Sequence, residues 1–241
     1  MTSVSSPTMQ NICLAIGKIV SAKPNKTKTP SYFLKLDFGK KLIEEHNSKY
    51  NKSFYASSAQ LCSNYSPETL MTKKVLCVIN FPRKQIGKHM SDCLVTGVQQ
   101  VGVSKDDKRK STVIVQPSHE VDLGSRVSIT GQKQIVESNA RDLDWTSFCA
   151  KNFVIETIVE LTFQKENDKF TNQPDKINKF AIKLAENKLG IGFLHPDFDE
   201  KTLLKTQALF LKEKNMHYLC SVGGAAVLIP SKHVENGFKL A

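Results

Sequence analysis

The sequence predicts a mainly β protein that begins with a small barrel of five strands. Short apolar or alternating runs follow one another between Leu14 and Ile129, with a single short helix signal among them. No strand–helix–strand alternation, which would indicate a parallel sheet, separates these runs. We expect the second half to be a mixed α/β extension that packs on the barrel.

The first strands are marked by an apolar run and by alternation. Leu14–Val20 predicts a strand, and Ser21–Pro30 follows as a loop because its two prolines oppose regular pairing. Tyr32–Phe38 places apolar residues on one face and Lys35 and Asp37 on the other, which is typical of a half-buried strand.

The remaining barrel elements are shorter. The polar stretch 40–55 predicts a surface excursion between strands. Ser66 can cap a short helix that begins at Pro67. Small residues at Ala56–Leu61 predict a compact element, and apolar runs predict further strands at Val75–Ile79, Cys93–Gly97, Val113–Val115 and Val127–Ile129.

A basic stretch, Phe81–His89, lies between two of these strands. It carries Arg83, Lys84 and Lys88 and contains Gly87. A basic loop held between two buried strands predicts a binding site on a rigid scaffold.

The second half is expected to begin after a loss of periodicity near residue 135. We therefore divide the chain into a disordered N-terminus (1–12), a barrel domain (13–135) and an extension (136–241). In the extension, Phe153–Phe163 predicts a strand, and apolar residues at helical spacing predict a helix over Ile177–Ala185. Ala208–Leu211 and Ala225–Ile229 predict two more short strands.

The positive charge of the chain is confined to its first half. The formal net charge is +11; residues 1–135 contain 20 basic and 9 acidic residues, whereas 136–241 contain 14 of each. This asymmetry favours a domain that binds a polyanion such as nucleic acid, followed by a neutral one. A lysine-rich surface that serves only solubility is the alternative.

The composition points away from several classes of protein. The six cysteines form no CxxC pair, which favours small buried hydrophobes in a reducing compartment. His89 and Cys93 are four residues apart, but no further ligands cluster with them, so we expect no metal.

We find no paired carboxylates, nucleophile motif or phosphate loop, and we therefore expect neither enzymatic activity nor a cofactor. No stretch approaches the ~20 apolar residues of a membrane span.

A series of ordered motifs carries a resemblance to a known family. The motifs are LAIGKIVSAK (14–23), LKLDFG (34–39), SSAQL (57–61), YSPETL (65–70), KVLCVINFPRKQIG (74–87), SDCLVTG (91–97), VIVQP (113–117) and EVDLGSRV (120–127). Together they resemble the tRNA-binding domain of aminoacyl-tRNA-synthetase accessory proteins, above all its stand-alone bacterial members described as secretion chaperones. The resemblance implies a five-stranded OB-fold barrel that binds tRNA on one face.

The C-terminal residues carry a second resemblance. HPDFDEKT (195–202), ALFLKEK (208–214) and GGAAVLIPSKHVENGFK (223–239) resemble the tail of the endothelial monocyte-activating polypeptide group, here about 190–241. The resemblance implies that this tail packs where the bacterial domain would dimerise. The chain would then be a monomer with a pseudo-dimeric arrangement, or a subunit of an assembly. Arg83 stands where the family often has proline, stretch 40–55 is longer than usual, and the segment between barrel and tail has no counterpart.

Ten residues are predicted to contact RNA. Six supply cations for phosphates, and four match polar positions of the motifs. They are Lys23, Lys26, Lys28, Arg83, Lys84 and Lys88, with Asn80, Ser57, Gln60 and Ser91.

Several of these predictions have structural alternatives. Asn80 could bond a base edge or cap the turn that follows its strand. Ser57 and Gln60 could be buried turn residues. The aromatic residues Tyr32, Phe54, Tyr55 and Phe81 are assigned to the core rather than to base stacking, and the lysines and arginine of 105–110 to a solvated turn.

The leading functional hypothesis is a non-catalytic module that binds tRNA or another structured RNA by shape and backbone. It would act as a cofactor of an aminoacyl-tRNA synthetase or as an assembly factor in a multi-protein complex. One alternative is a scaffold subunit that keeps the fold without binding RNA. A weaker alternative is a peptide-binding chaperone. We expect a cytoplasmic protein and leave a mitochondrial one open.

Overall fold

The structure is a computed structural model that describes residues 12–27, 29–40, 42, 53–101, 110–129, 146, 148, 152–164 and 177–240. Lys28, most of the excursion 40–55, most of the charged tip 104–111 and the predicted junction near residue 135 lie outside these residues. The predicted disordered N-terminus also lies outside them, except for Ile12. That side chain is 1% exposed and belongs to the core, so the prediction is wrong there.

The first half forms short strands and the short helix α1 (Pro67–Leu70). Its described strands are β1 (Leu14–Asn25), β2 (Ser31–Asp37), β3 (Tyr55–Ala59), β4 (Lys74–Val78), β5 (Lys84–Ile86), β6 (His89–Ser91), β7 (Leu94–Val95), β8 (Gly97–Val101), β9 (Lys110–Pro117) and β10 (Val127–Ser128). Helix α1 is capped as predicted: Ser66 Oγ accepts from the Thr69 amide at 3.4 Å, and Thr69 Oγ1 accepts from the Ser66 amide at 3.0 Å.

Five of these strands curl into a barrel. They form one antiparallel sheet in the order β3-β2-β1-β4-β7. Its two edges meet, since the amides of Asp92 and Cys93 donate to the Ala56 carbonyl at 2.7 and 3.3 Å. The Val95 amide also donates to Ser57 Oγ at 3.3 Å. The prediction of a mainly β, OB-like barrel is therefore confirmed.

Strand β1 is longer than predicted and contains Pro24. The prediction of a strand that ends at Val20, followed by a loop over Ser21–Pro30, is wrong for residues 21–25. In the described sheet, β1 pairs with β4 only over Leu14–Lys18, and its later residues pair with β2. Proline is tolerated there because an edge segment needs amide hydrogens on one side only.

The second half forms a barrel of its own instead of the expected mixed α/β extension. Its described strands are β11 (Asn152–Phe163), β12 (Asn178–Leu184), β13 (Leu189–Leu194), β14 (Gln207–Glu213), β15 (Met216–Leu219), β16 (Ser221–Val222) and β17 (Ala226–Pro230). Strands β11 to β15 close a barrel in the order β11-β12-β13-β15-β14. Two short 3₁₀ helices lie between its strands, at Ala185–Asn187 and Glu200–Leu203.

The helix predicted over Ile177–Ala185 is strand β12. Its sequence also alternates: Phe180, Ile182 and Leu184 are buried, whereas Lys183 is exposed. A short apolar run of this kind fits both helical and strand periods. Pairing with β11 on one side and β13 on the other decides the outcome. The strands predicted at 153–163, 208–211 and 225–229 are confirmed.

The two barrels share one strand order. When the strands of each barrel are numbered along the chain, both run 1-2-3-5-4 around the barrel. In each, a first strand of 12 residues pairs with two partners, and a short helix lies between the third and fourth strands. This relationship is visible in the strand topology of the two barrels.

The barrels are joined by a shared sheet and a shared core. The sheet has the order β10-β16-β17-β9-β8 and combines strands of both halves. Each barrel has an interior cluster, and a third cluster between them contains Leu76 and Val113 of the first half with Phe153 and Leu209 of the second. None of the described cysteines forms a disulfide, and all but Cys62 are buried, as predicted. In the described part of the chain, no helix has the length and apolar character to cross a membrane.

Candidate nucleic-acid interface

The basic stretch 81–89 is a hairpin rather than an irregular loop. Strand β5 pairs antiparallel with β6, with Lys84 opposite Ser91 and Ile86 opposite His89. Gly87 and Lys88 form the turn, and Gly87 has a φ of +62°. Glycine occupies this first turn position in type II′ hairpins, because only glycine adopts the positive φ without strain. Lys88 is thereby presented at the hairpin tip.

The tip of the hairpin packs on the loop between β1 and β2. A Cβ atom at Gly87 would lie 3.0 Å from Thr27 Cγ2 and 3.4 Å from Asn25 Oδ1. The absence of a side chain at Gly87 therefore lets the two segments approach closely. This contact brings the two basic segments that the sequence analysis singled out, around Lys26 and around Lys88, onto one side of the barrel.

A row of outward side chains connects these segments across the sheet. Lys23 lies opposite Phe33, and Phe33 lies opposite Ser58. The ring of Phe33 stacks on the imidazole of His89, with ring centroids 3.9 Å apart and an interplanar angle of 19°. Both rings are partly exposed. The outer face thus has an aromatic centre between lysines, an arrangement that suits both phosphates and stacked bases.

Neither Phe33 nor His89 is among the RNA contacts predicted from the sequence. A signal for Phe33 was present, because it falls on the polar face of the alternating strand with Lys35 and Asp37. An aromatic residue on an outward face is a candidate contact. His89 carried no such signal, since its partner Phe33 is distant in sequence.

Arg83 is held by a buried carboxylate. Its Nε donates to Asp92 Oδ1 at 2.7 Å, and the side chains are 28% and 3% exposed. The other carboxylate oxygen accepts from the Ala56 amide at 3.1 Å. The expected phosphate-binding arginine therefore has its charge balanced, and it ties the start of the hairpin to β3. Asp92 was not selected from the sequence.

Three of the predicted polar contacts are buried. Asn80 is 1% exposed and its Oδ1 accepts from the Cys13 amide at 3.0 Å. Ser57 accepts from the Val95 amide, and Ser91 accepts from the Ser58 amide at 3.2 Å. These bonds connect Asn80 to the residue before β1, Ser57 to β7 and Ser91 to β3. All three residues have structural roles inside the barrel, although not the turn roles suggested for Asn80 and Ser57, and the expectation that they touch RNA is corrected. Gln60 is exposed beyond the end of β3.

The predicted cations that remain at the surface are Lys23, Lys26, Lys84 and Lys88. None of the four forms an ion pair within the part of the chain that the structure describes. Lys35, which the sequence analysis placed on the polar face of β2, is exposed beside them. Strands β1, β2, β3, β5 and β6 contain one carboxylate, that of Asp37. The face is therefore strongly positive, which favours phosphate binding.

The other aromatic residues follow the core assignment with one exception. Tyr32 and Tyr55 are buried, and Phe81 packs edge-on against Phe148 at 5.6 Å. Phe54 is 43% exposed, so its assignment to the core is wrong. It directly precedes β3 and is not held in the barrel interior.

No protein-family model matches the chain. Among solved structures, the chain is similar to the chaperone CsaA of Bacillus anthracis, with 30% identity over 48% of this chain and 91% of that one and a TM-score of 0.38. It is also similar to a MetRS-related protein of Pyrococcus horikoshii, with 20% identity over 48% and 88% and a TM-score of 0.34. The C-terminal domain of Plasmodium vivax p43 shows 13% identity over 76% and 93% and a TM-score of 0.48.

The fold and the exposed lysines define a basic barrel of the oligonucleotide-binding type. The ordered motifs between Leu14 and Val127, and the identity to nearly the whole of one CsaA chain, assign it further. The chain belongs to the tRNA-binding-domain family.

Proposed function

We propose that the first barrel binds structured RNA, and tRNA in particular, on its basic outer face. The observation that supports this most directly is the clustering of exposed Lys23, Lys26, Lys84 and Lys88 around the stacked rings of Phe33 and His89. The proposal assigns the lysines to phosphates and the aromatic pair to an unstacked base.

Recognition on this face would depend on backbone and shape. Asn80, Ser57 and Ser91 are engaged inside the barrel, so they do not read base edges. The remaining contacts are flexible ammonium groups, which bind phosphates as point charges. A folded RNA whose backbone matches the spacing of the two basic segments would therefore bind without strong sequence preference.

The module acts, in this proposal, without catalysis, as a cofactor of an aminoacyl-tRNA synthetase or of a larger assembly. Membership of the tRNA-binding-domain family supports this role. The neutral charge of residues 136–241 fits a second barrel that meets protein rather than RNA.

A salt titration of tRNA binding tests the proposal. Affinity should fall steeply between about 50 mM and 200 mM salt, because bound lysines release counterions from phosphates. The variant Lys84→Ala with Lys88→Ala should weaken binding at least about tenfold at low salt and reduce the salt slope by roughly one per lysine.

A matched control removes two exposed lysines from the second barrel, Lys183→Ala with Lys201→Ala. The two double variants lose the same net charge, so a specific face predicts a loss only for the hairpin variant. Equal losses in both variants, or binding that does not depend on salt, would reject the basic face as the RNA site.

A protein-assembly role is the second candidate, and exposed apolar residues of the second barrel favour it. Val159 is 49%, Phe163 50%, Leu189 59% and Leu204 42% exposed. A protein partner that covers these side chains would remove their apolar surface from water. Co-purification of a protein complex that survives nuclease treatment and is lost in Leu189→Ser would support this role. Retention of the complex without any tRNA affinity would favour it over the first candidate.

We also propose that the chain is a monomer in which the second barrel takes the place of a second copy. The common strand order and the shared core support this arrangement. Light scattering should give the mass of one chain, 26.9 kDa. A concentration-independent dimer would contradict it.

A further inference from the structure

A polar cleft lies on the first barrel, away from the hairpin. Its volume is about 420 Å³, and its walls come from the middle of β1, the start of β4 and the segment 116–120 that ends β9. A volume of this order holds a small ligand. Two lysines, a histidine and a serine line it together, and none of these residues was selected from the sequence.

The two lysines of the cleft face each other across the sheet. Lys18 of β1 lies directly opposite Lys74 of β4, and both side chains are partly buried. Like charges in directly opposed positions destabilise a sheet. Such a pair is retained at low cost when an anion lies between the two ammonium groups.

One of the two ammonium groups is already neutralised from within the chain. Lys74 donates to the carboxylate of Glu120 and to the carbonyl of Val121. The Glu120 side chain is 87% exposed, so it can leave without disturbing the core. Its position beside Lys74 shows that the cleft accepts an anionic oxygen group.

Lys18 has no ion-pair partner within the described residues. Asp37 is its cross-strand neighbour on β2, but Asp37 does not line the cleft. Among the charged side chains that line the cleft, two lysines face one carboxylate, so the lining carries a net positive charge.

Ser118 and His119 add an oriented donor. Ser118 Oγ accepts from the Val227 amide at 3.1 Å and lies 2.8 Å from His119 Nδ1. In the tautomer in which the hydroxyl donates to Nδ1, the ring carries its proton on Nε2. The ring is also held edge-on against Phe198 of the second barrel, with centroids 5.5 Å apart.

We propose that this cleft binds a phosphate monoester. A terminal phosphate carries up to two negative charges and three acceptor oxygens, which match two ammonium groups and the Nε2–H of His119. The phosphate displaces the Glu120 carboxylate from Lys74. The same chemistry occurs at the phosphorylated end of an RNA strand and in a free mononucleotide.

The cleft lies on the same outward face as the candidate RNA site. The outward residues of β2, from Phe33 through Lys35 to Asp37, pair with Lys23, Ser21 and Lys18 of β1 in turn. Lys18 therefore lies two outward rows from the aromatic pair, roughly 14 Å along the strand. The phosphate site itself does not depend on RNA binding by the hairpin.

Calorimetric titration with adenosine 5′-monophosphate, inorganic phosphate and adenosine tests the site. The monophosphate and phosphate should bind, and adenosine should not. Lys18→Met should weaken binding of the monophosphate roughly tenfold or more, because it removes a charge-assisted contact. Glu120→Gln should strengthen it, because the internal competitor becomes neutral. Lys35→Met, an exposed lysine outside the cleft, should bind as the unaltered chain does.

Two outcomes would overturn the proposal. One is equal binding of adenosine and its monophosphate. The other is an absence of monophosphate binding to Glu120→Gln when that variant is folded, as judged by its circular dichroism and thermal transition.

A pair of RNA oligonucleotides distinguishes the two sources of the phosphate. If a 5′-phosphorylated strand binds more tightly than the 5′-hydroxyl strand, and Lys18→Met removes the difference, the ligand is an RNA end. If the two oligonucleotides bind with equal affinity while the monophosphate binds, the ligand is a free nucleotide. The Lys84→Ala, Lys88→Ala variant should retain monophosphate binding, so failure of the tRNA proposal and failure of this one remain distinguishable.

Discussion

The Nε atom of Arg83 lies 2.7 Å from Oδ1 of Asp92, and this ion pair joins the start of the basic hairpin to the barrel wall. Because Asp92 also accepts from the Ala56 amide, one buried carboxylate connects β3 with the segment that precedes β5. The pair positions the lysines of the hairpin, whereas Arg83 itself has limited capacity left for phosphate.

Replacement of Arg83 by methionine should destabilise the protein. The buried carboxylate of Asp92 would lose its cationic partner, and we expect the free energy of unfolding to fall by about 2 kcal/mol. Urea denaturation measures this change. In a double-mutant cycle with Asp92→Asn, the two effects should be non-additive. Full stability of Arg83→Met with abolished tRNA binding would instead make Arg83 a direct RNA contact.

Replacement of Gly87 by alanine should disturb the contact between the hairpin and the β1–β2 loop. The alanine would have to adopt a φ of +62°, and its Cβ would lie 3.0 Å from Thr27 Cγ2. We expect a loss of about 1 kcal/mol or more in the free energy of unfolding, together with weaker tRNA binding.

Gly223→Ala is the matched control for this change. Gly223 also has a positive φ, +55°, but a Cβ there would meet nothing within 4 Å. The control reports the backbone strain alone, so the difference between the variants reports the close approach. Equal losses in stability and unchanged tRNA binding would contradict the packing role of Gly87.

Replacement of Phe33 by alanine should weaken RNA binding without unfolding the barrel. The ring is outward and partly exposed, and its loss removes a stacking surface worth about 1–3 kcal/mol per base. Filter binding with tRNA at fixed salt measures the effect. The salt slope should stay constant, because no phosphate contact is removed. A changed slope with unchanged affinity would argue against a stacking role.

A buried ion cluster inside the second barrel predicts a pH dependence of stability. Burial lowers the pKa of His217, although Glu156 lies 3.7 Å from its Nε2 and opposes the shift. Lys188 donates to Glu156 at 3.0 Å. Burial lowers the pKa of Lys188 as well, but hydrogen bonds to Glu156 and Glu186 outweigh it, so the pKa is raised.

The direction of the pH effect follows from His217. Its folded-state pKa lies below the unfolded value of about 6.5, so the unfolded chain binds the proton first as pH falls. The contribution to stability is therefore present above about pH 6.5 and is lost as pH falls towards the folded-state pKa. Urea denaturation from neutral to mildly acidic pH should show this decline, and His217→Gln should reduce it. A decline of the same size in the variant would assign it to other groups.

Much of the fold could be predicted from local patterns. Two strands follow from local patterns alone, the alternation in Tyr32–Phe38 and the apolar run Val75–Ile79. Each segment has a face that must be buried, whatever its neighbours are. The Ser66 cap of α1 is equally local. By contrast, the period of residues 177–185 fits two structures, and only the neighbours β11 and β13 make it a strand.

The candidate site was predicted in part. Lys84 and Lys88 lie at the surface because the hairpin that carries them is exposed and polar. Asn80 matched a motif, but its buried bond to Cys13 depends on strands that are 67 residues apart in sequence. The stack of Phe33 on His89 likewise requires β2 and β6 to meet on one face.

The sequence by itself determined the basic first half, the strands of its barrel and the motifs that assign the family. These depend on composition and on residues close together in the chain. The tertiary structure decided which positive charges remain available to bind an anion. Arg83 is paired with Asp92, whereas Lys18, which lies opposite Lys74, has no ion-pair partner among the described residues. It also decided that the second half repeats the strand order of the first. Both outcomes depend on strand pairing between distant residues, which neither local periodicity nor net charge encodes.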